Sequence, residues 1–165
     1  MRANRLAAVG LAAATIAASG CAVVVGNDTT KDAAKAAKAA NVANVAIAPI
    51  KVIYHVSEGG DQATNALRNI RNHLSADPTA KISVVTHANG IDFLLDGAKD
   101  KNGNDYVSNV QELVKRGVDF RVCRLTLERR NIDPKRVIEE ARLVPSGVAE
   151  VARLQAREGY VYLKP

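Results

Sequence analysis

The sequence predicts an α/β protein built on a mainly parallel five-stranded sheet with helices on both faces. Two observations carry this. Short runs rich in Val, Ile, Tyr and Leu recur along residues 51–163, and the segments between them place apolar residues at helical spacing. Strands alternating with helices imply crossover connections, which favour parallel pairing and a covered sheet.

Lys51 to Val56 is the first strand. Ser57-Glu58-Gly59-Gly60-Asp61 leads into a helix whose Ala63, Ala66, Leu67, Ile70 and Leu74 share one face, and Asp77-Pro78 ends it. Ile82 to His87 is the second strand, after which Asn89-Gly90 turns the chain into a short helix through Phe93 and Leu95. The polar stretch Lys99 to Asp105 reads as an exposed, mobile loop. Val107, Val110, Leu113 and Val114 mark the next helix, closed by Gly117. Val118, Phe120 and Val122 alternate with polar residues as a third strand, and the chain after Cys123 reads as helix. Asp133-Pro134 predicts a further helix start, with Val137, Ile138 and Ala141 as its apolar face. Leu143-Val144 is a fourth strand, Ser146-Gly147 opens a helix carrying Val148, Val151, Ala152 and Leu154, and Tyr160 to Leu163 is the fifth strand.

The first third of the chain differs in kind. Arg2 and Arg5 precede an apolar run from Leu6 to Ala18, then Ala18-Ser19-Gly20-Cys21, which is the layout of a secretory signal and too short for a comfortable membrane span. Small residues running into a cysteine resemble a bacterial lipobox with Cys21 as the lipidated residue, although Ala18 stands where Leu is most usual. Cleavage by an ordinary signal peptidase is the alternative. The expected organisation is a signal peptide over 1–20, an Ala/Lys-rich tether over 21–49 and one folded domain over 50–165, in an exported, periplasmic protein anchored to the membrane by lipid.

Composition narrows the function classes. The net charge is +6, and removal of Arg2 and Arg5 with the leader leaves +4, spread without any aromatic-interleaved basic run, so no nucleic-acid partner is expected. No Gly-x-Gly-x-x-Gly follows the first strand, and there is no Lys-Ser/Thr phosphate loop, Cys-x-x-Cys pair or zinc-spaced Cys/His cluster. Neither a metal nor a cofactor is expected. Lipidation of Cys21 would leave Cys123 as a lone thiol in an oxidising compartment, open to disulfide exchange or persulfide formation.

Ligand and catalytic groups of parallel sheets gather beyond the carboxyl ends of the strands, and the groups there are His55, His87, Cys123 and Ser146. Cys123 sits where a strand hands over to a helix, with Arg121, Arg124, Arg129 and Arg130 near it in sequence; helix start and arginines both favour thiolate over thiol. The competing assignment is a small buried hydrophobe at a strand end. His73, on the polar side of the first helix, reads as a solvated surface residue.

Val84 to Gly90 (Val-Val-Thr-His-Ala-Asn-Gly), Gly117 to Cys123, and Val144-Pro145-Ser146-Gly147-Val148-Ala149-Glu150 with Gly159-Tyr160 and the closing Lys164-Pro165 together resemble the DsrE/DsrF-like (YchN-like) family across nearly all of 51–165. The resemblance implies a three-layer α/β/α fold and a homo-oligomer, trimeric or hexameric. In the sulfur-relay members a cysteine at the position matched by Cys123 carries sulfur as a persulfide and passes it on, with a sulfur donor and an acceptor protein as partners. Those relay proteins work in the cytoplasm, whereas this chain reads as exported, and Asn131 stands where many relatives have Gly. Two functions follow: a sulfur carrier using Cys123, with Arg124 and the helix start stabilising the thiolate and His55 or His87 moving the proton, or a non-catalytic oligomeric module of the cell envelope whose strand-end cleft holds a small ligand.

Overall fold

The computed structural model describes residues 48–165; the expected signal peptide, Cys21 and most of the expected tether lie outside the described residues. Five strands form one sheet: β1 (Lys51–Val56), β2 (Lys81–Thr86), β3 (Asp119–Cys123), β4 (Ala141–Val144) and β5 (Val161–Leu163). Their order is β4-β3-β2-β1-β5, and every adjacent pair is parallel. The helices are α1 (Gly60–Ala76), α2 (Tyr106–Lys115), α3 (Arg124–Arg129) and α4 (Gly147–Glu158), with 3-10 helices at Ala88–Leu94 and Pro134–Arg136.

The period-two alternation of the strands divides the core. Val52, Tyr54, Val56, Ile82, Val84, Phe120 and Val122 face one way and pack with the apolar stripe of α1, with Val110 and Leu113 of α2 and with Leu127 of α3. The alternate residues Ile53 and Val85 face the other way, against Val151 and Leu154 of α4. The connections from β1 to β4 cover the first face, and α4 alone crosses back over the second to place β5 beside β1. Helix, sheet and helix make the three layers.

Among the described residues α4 covers the second face, and it buries polar groups of β3 beneath it. Arg121 is 5 % exposed, and Asp119 accepts from its Nε at 2.6 Å. Its Nη1 donates to Glu150 of α4. Arg142 of β4 donates to Asp119 at 2.9 and 3.0 Å, and Arg153 of α4 donates to Glu150 at 2.8 and 2.9 Å. Three arginines and two buried or half-buried carboxylates therefore clamp α4 to β3 and β4, each charge compensated by hydrogen-bonded partners.

Two loops differ from the sequence expectation. Asp133 does cap a helix start, its carboxylate accepting from the Lys135 N–H, but the helix ends after Arg136. The backbone there bonds elsewhere: Asp96 N–H donates to the Arg136 carbonyl, Ile138 N–H donates to that of Leu94, and Val137 bridges Leu95. Ala141 consequently starts β4 instead of lining a helix. The 99–105 loop is exposed as expected, yet Asp100 ties it, accepting from Asn102 N–H at 2.8 Å and from Asn104 N–H at 2.9 Å. His73 is half-buried, bonded to the Tyr54 hydroxyl at 3.0 Å. Asn131 has φ +50°, the left-handed conformation that closes α3 and that Asn tolerates.

Candidate functional site

Cys123 is the last residue of β3 and the N-cap of α3, and its thiol is free and 5 % exposed. A second, longer helix starts beside it. Ser146 caps α4, its hydroxyl accepting from Ala149 N–H at 3.4 Å, and Gly147 follows directly. A Cβ on Gly147 would lie 2.9 Å from the Thr86 carbonyl oxygen, 3.1 Å from His87 Cβ and 3.3 Å from Cys123 Cβ. Only a glycine lets α4 begin this close to the ends of β2 and β3. The N–H groups of Gly147 and Val148 have no hydrogen-bond partner among the described residues, as the first N–H groups of a helix ordinarily do not. They and the dipole of this twelve-residue helix favour negative charge at the junction.

A cavity of about 110 Å³ opens over the thiol, lined by His87, Cys123, Leu125, Thr126, Arg129, Ser146 and Val148. His87 is positioned by the turn after it. Ala88, at φ +49°, donates its N–H to the Thr126 hydroxyl at 3.1 Å, and Arg130 bonds both the Ala88 carbonyl, at 3.2 Å, and Asp92, at 2.6 Å. Gly90 then passes directly over the end of β1.

His55 stands one strand further away. Its ring packs on that of His87 with centroids 4.8 Å apart and an interplanar angle of 33°, its Nδ1 shares a 2.8 Å hydrogen bond with the Tyr162 hydroxyl of β5, and its buried Nε2 has no partner among the described residues. Burial, then the neighbouring His87 and Lys164, push His55's ionisation below the ordinary imidazole value; burial does the same for His87. Both rings are therefore neutral at neutral pH.

The structure thus gathers Cys123, His87 and Ser146 around one cavity and sets His55 behind His87. Arg124 is exposed and does not line the cavity, while Arg129 does. Of the other two arginines near Cys123 in sequence, Arg121 is held by Asp119 and Glu150 and Arg130 by Asp92. Helical spacing distinguishes them: from Cys123, steps of three reach Thr126 and Arg129, whereas Arg124 is turned about 100° away. Gly147 as the close-packing residue had no local signal. Among the described residues, no three His, Cys, Asp or Glu side chains converge as metal ligands would.

A free thiol buried under a small cavity at the carboxyl edge of a parallel sheet, between two helix starts, defines an α/β protein with a strand-end cysteine site. The model of the DsrE/DsrF-like family matches residues 11–165, and the chain belongs to that family. Among solved structures, it is similar to MTH1491, a protein of unknown function from Methanobacterium thermoautotrophicum. That likeness has 28 % identity and a TM-score of 0.62, over 70 % of this chain and 99 % of that one. It also shares its fold with the ychN protein of E. coli, with 15 % identity and a TM-score of 0.58, over 72 % of this chain and all of that one. No curated protein matches the chain.

Proposed function

We propose that this protein is a sulfur carrier that holds sulfane sulfur as a persulfide on Cys123 and yields it to an acceptor thiol. The observation that carries the proposal is the cavity: its residues include the one free thiol among the described residues, a neutral imidazole, His87, and a cation, Arg129, beside the start of α4. Neutral His87 offers a lone pair to take the thiol proton, and Arg129 and the helix start favour the anion that remains. His55, packed on His87 and bonded to Tyr162, fixes the orientation of the His87 ring. Ser146 supplies a hydroxyl at the cavity wall.

Incubation of the reduced protein with polysulfide, read by intact mass spectrometry, should add one sulfur atom to the wild type and none to Cys123→Ser. The added sulfur should leave on addition of a small thiol, and Arg129→Ala should slow loading roughly tenfold, the loss of one charge-assisted contact. The burial of Cys123 favours the second function, a non-catalytic binding module of the cell envelope. Resistance of Cys123 to iodoacetamide until the protein unfolds would establish that function in place of the carrier.

The proposal includes export, lipidation at Cys21 and homo-oligomerisation as a trimer or hexamer. It is supported by the leader-like residues 1–20 and, for assembly, by the exposed apolar edge at Val161, Tyr162 and Leu163 of β5. Cys21→Ser should abolish acyl labelling and release the protein from membranes. Sedimentation of the released protein as a monomer at micromolar concentration would overturn the assembly.

A further inference from the structure

We infer that Cys123 takes its sulfur from small free polysulfide anions and not from persulfides borne on a protein or on a peptide as large as glutathione. The inference rests on the carrier function just proposed and concerns the identity of the donor.

The first ground is depth. Cys123 is 5 % exposed, and the space over it is about 110 Å³, well below the roughly 300–1,000 Å³ of pockets that enclose drug-sized ligands. Two cysteines joined through sulfur bring their Cα atoms to within about 4–7 Å, and one intervening sulfur atom adds only a bond length or so. A donor backbone cannot come that near a thiol whose approach is walled by side chains of α3 and α4. The second ground is rigidity. The start of α4 already presses on Thr86, His87 and Cys123 so closely that even a methyl group on Gly147 would overlap a backbone oxygen. On that side, widening the cavity means lifting α4, which the Arg121–Glu150 pair holds to the sheet, and the remaining wall is made by His87 and side chains of α3. The third ground is the mouth. Leu125 and Val148, 43 % and 59 % exposed, form an apolar rim, and Arg129 and the start of α4 supply positive charge to the same cavity wall. A compact, weakly hydrated anion suits that combination, and the two carboxylates of glutathione do not suit the rim.

The loading step balances without a further reagent. The Cys123 thiolate attacks the terminal SH sulfur of a hydropolysulfide; the Sγ–S bond forms as the next S–S bond breaks, and the electron pair leaves with the shortened polysulfide, which takes up a proton. By oxidation number the cysteine sulfur is oxidised by one and the polysulfide sulfur at the broken bond is reduced by one, so the step balances.

The full-length reduced protein should be given equal sulfane-sulfur concentrations of sodium polysulfide or glutathione persulfide, and the mass gain on Cys123 followed in time. Polysulfide should load at least about tenfold faster, because exchange rates follow access to the attacked and attacking sulfurs. Leu125→Ala, which shortens the rim, should narrow that ratio. Equal rates from both donors in the wild type would overturn this inference and leave the carrier function standing. Loading from neither donor, with Cys123 still open to iodoacetamide, would overturn the carrier function and this inference with it.

Discussion

Gly90→Ala should lower the stability of this domain by about 3 kcal/mol or more, the upper reach of overpacking in a core. Gly90 is buried, and a Cβ there would lie 2.2 Å from the Val56 carbonyl oxygen, 2.4 Å from its carbon and 2.7 Å from the Ser57 nitrogen. All three atoms belong to the backbone at the end of β1, so no side chain can rotate to make room. Relief requires the 88–94 turn to rise from the sheet, and His87, whose N–H donates to the same Val56 carbonyl at 3.2 Å, moves with it. The variant should lose stability in denaturant melts and load sulfur more slowly even where it remains folded. By contrast Gly59→Ala, at a position with nothing within 4 Å of the added carbon, should be close to neutral. A Gly90→Ala domain as stable as the wild type would show that the turn does not sit on β1 as described.

The contrast between these glycines marks where sequence reading reaches and where it stops. The strands were legible as short runs rich in Val, Ile, Tyr and Leu, with a two-residue alternation at Val118, Phe120 and Val122, and α1, α2 and α4 because their apolar residues recur at helical spacing. Strand ends were legible with them, which is why His55, His87, Cys123 and Ser146 could be placed on one edge of the sheet. The helix expected after Asp133 failed because its cap signal is genuine but local. Val137 and Ile138 extend along Leu94 and Leu95, more than 40 residues away, and that pairing overrode the cap. Arg121 was misread for the same kind of reason. Its place two residues before Cys123 suggested a cation near the thiol, while its partner Glu150 lies on α4, a distant part of the chain that packs on the same face of the sheet. Gly147 and Gly90 share this property: each is required by a backbone that approaches from a distant part of the chain.

Replacing Glu150 tests the clamp that keeps α4, and so the wall of the Cys123 cavity, in place. Glu150 is 8 % exposed and receives Arg153 at 2.8 and 2.9 Å and the buried Nη1 of Arg121. Glu150→Ala leaves the Arg121 guanidinium, itself 5 % exposed, facing Asp119 alone, and loss of one partner of a buried pair costs about 3–5 kcal/mol. The pH dependence gives a second readout. The hydrogen bonds from Arg153, opposed by burial and reinforced by Arg121, lower the Glu150 carboxyl to about 2 from an ordinary value near 4.5. Its folded-state ionisation lies below its unfolded one, so its contribution is complete above about pH 4.5 and is lost as pH falls toward 2. His55 and His87 act higher on the scale. Their lowered values mean that the unfolded chain binds protons first, so stability is full above about pH 6.5 and begins to fall below it. Denaturant melts from pH 8 to 3 should therefore show two declines in the wild type. In Glu150→Gln the difference from wild type should be largest at neutral pH and shrink below about pH 4.5, while the decline near pH 6 persists. A difference that stays constant down to pH 3 would mean that Glu150 is not held as a carboxylate by Arg121 and Arg153, and that α4 is fixed to the sheet by its apolar contacts alone.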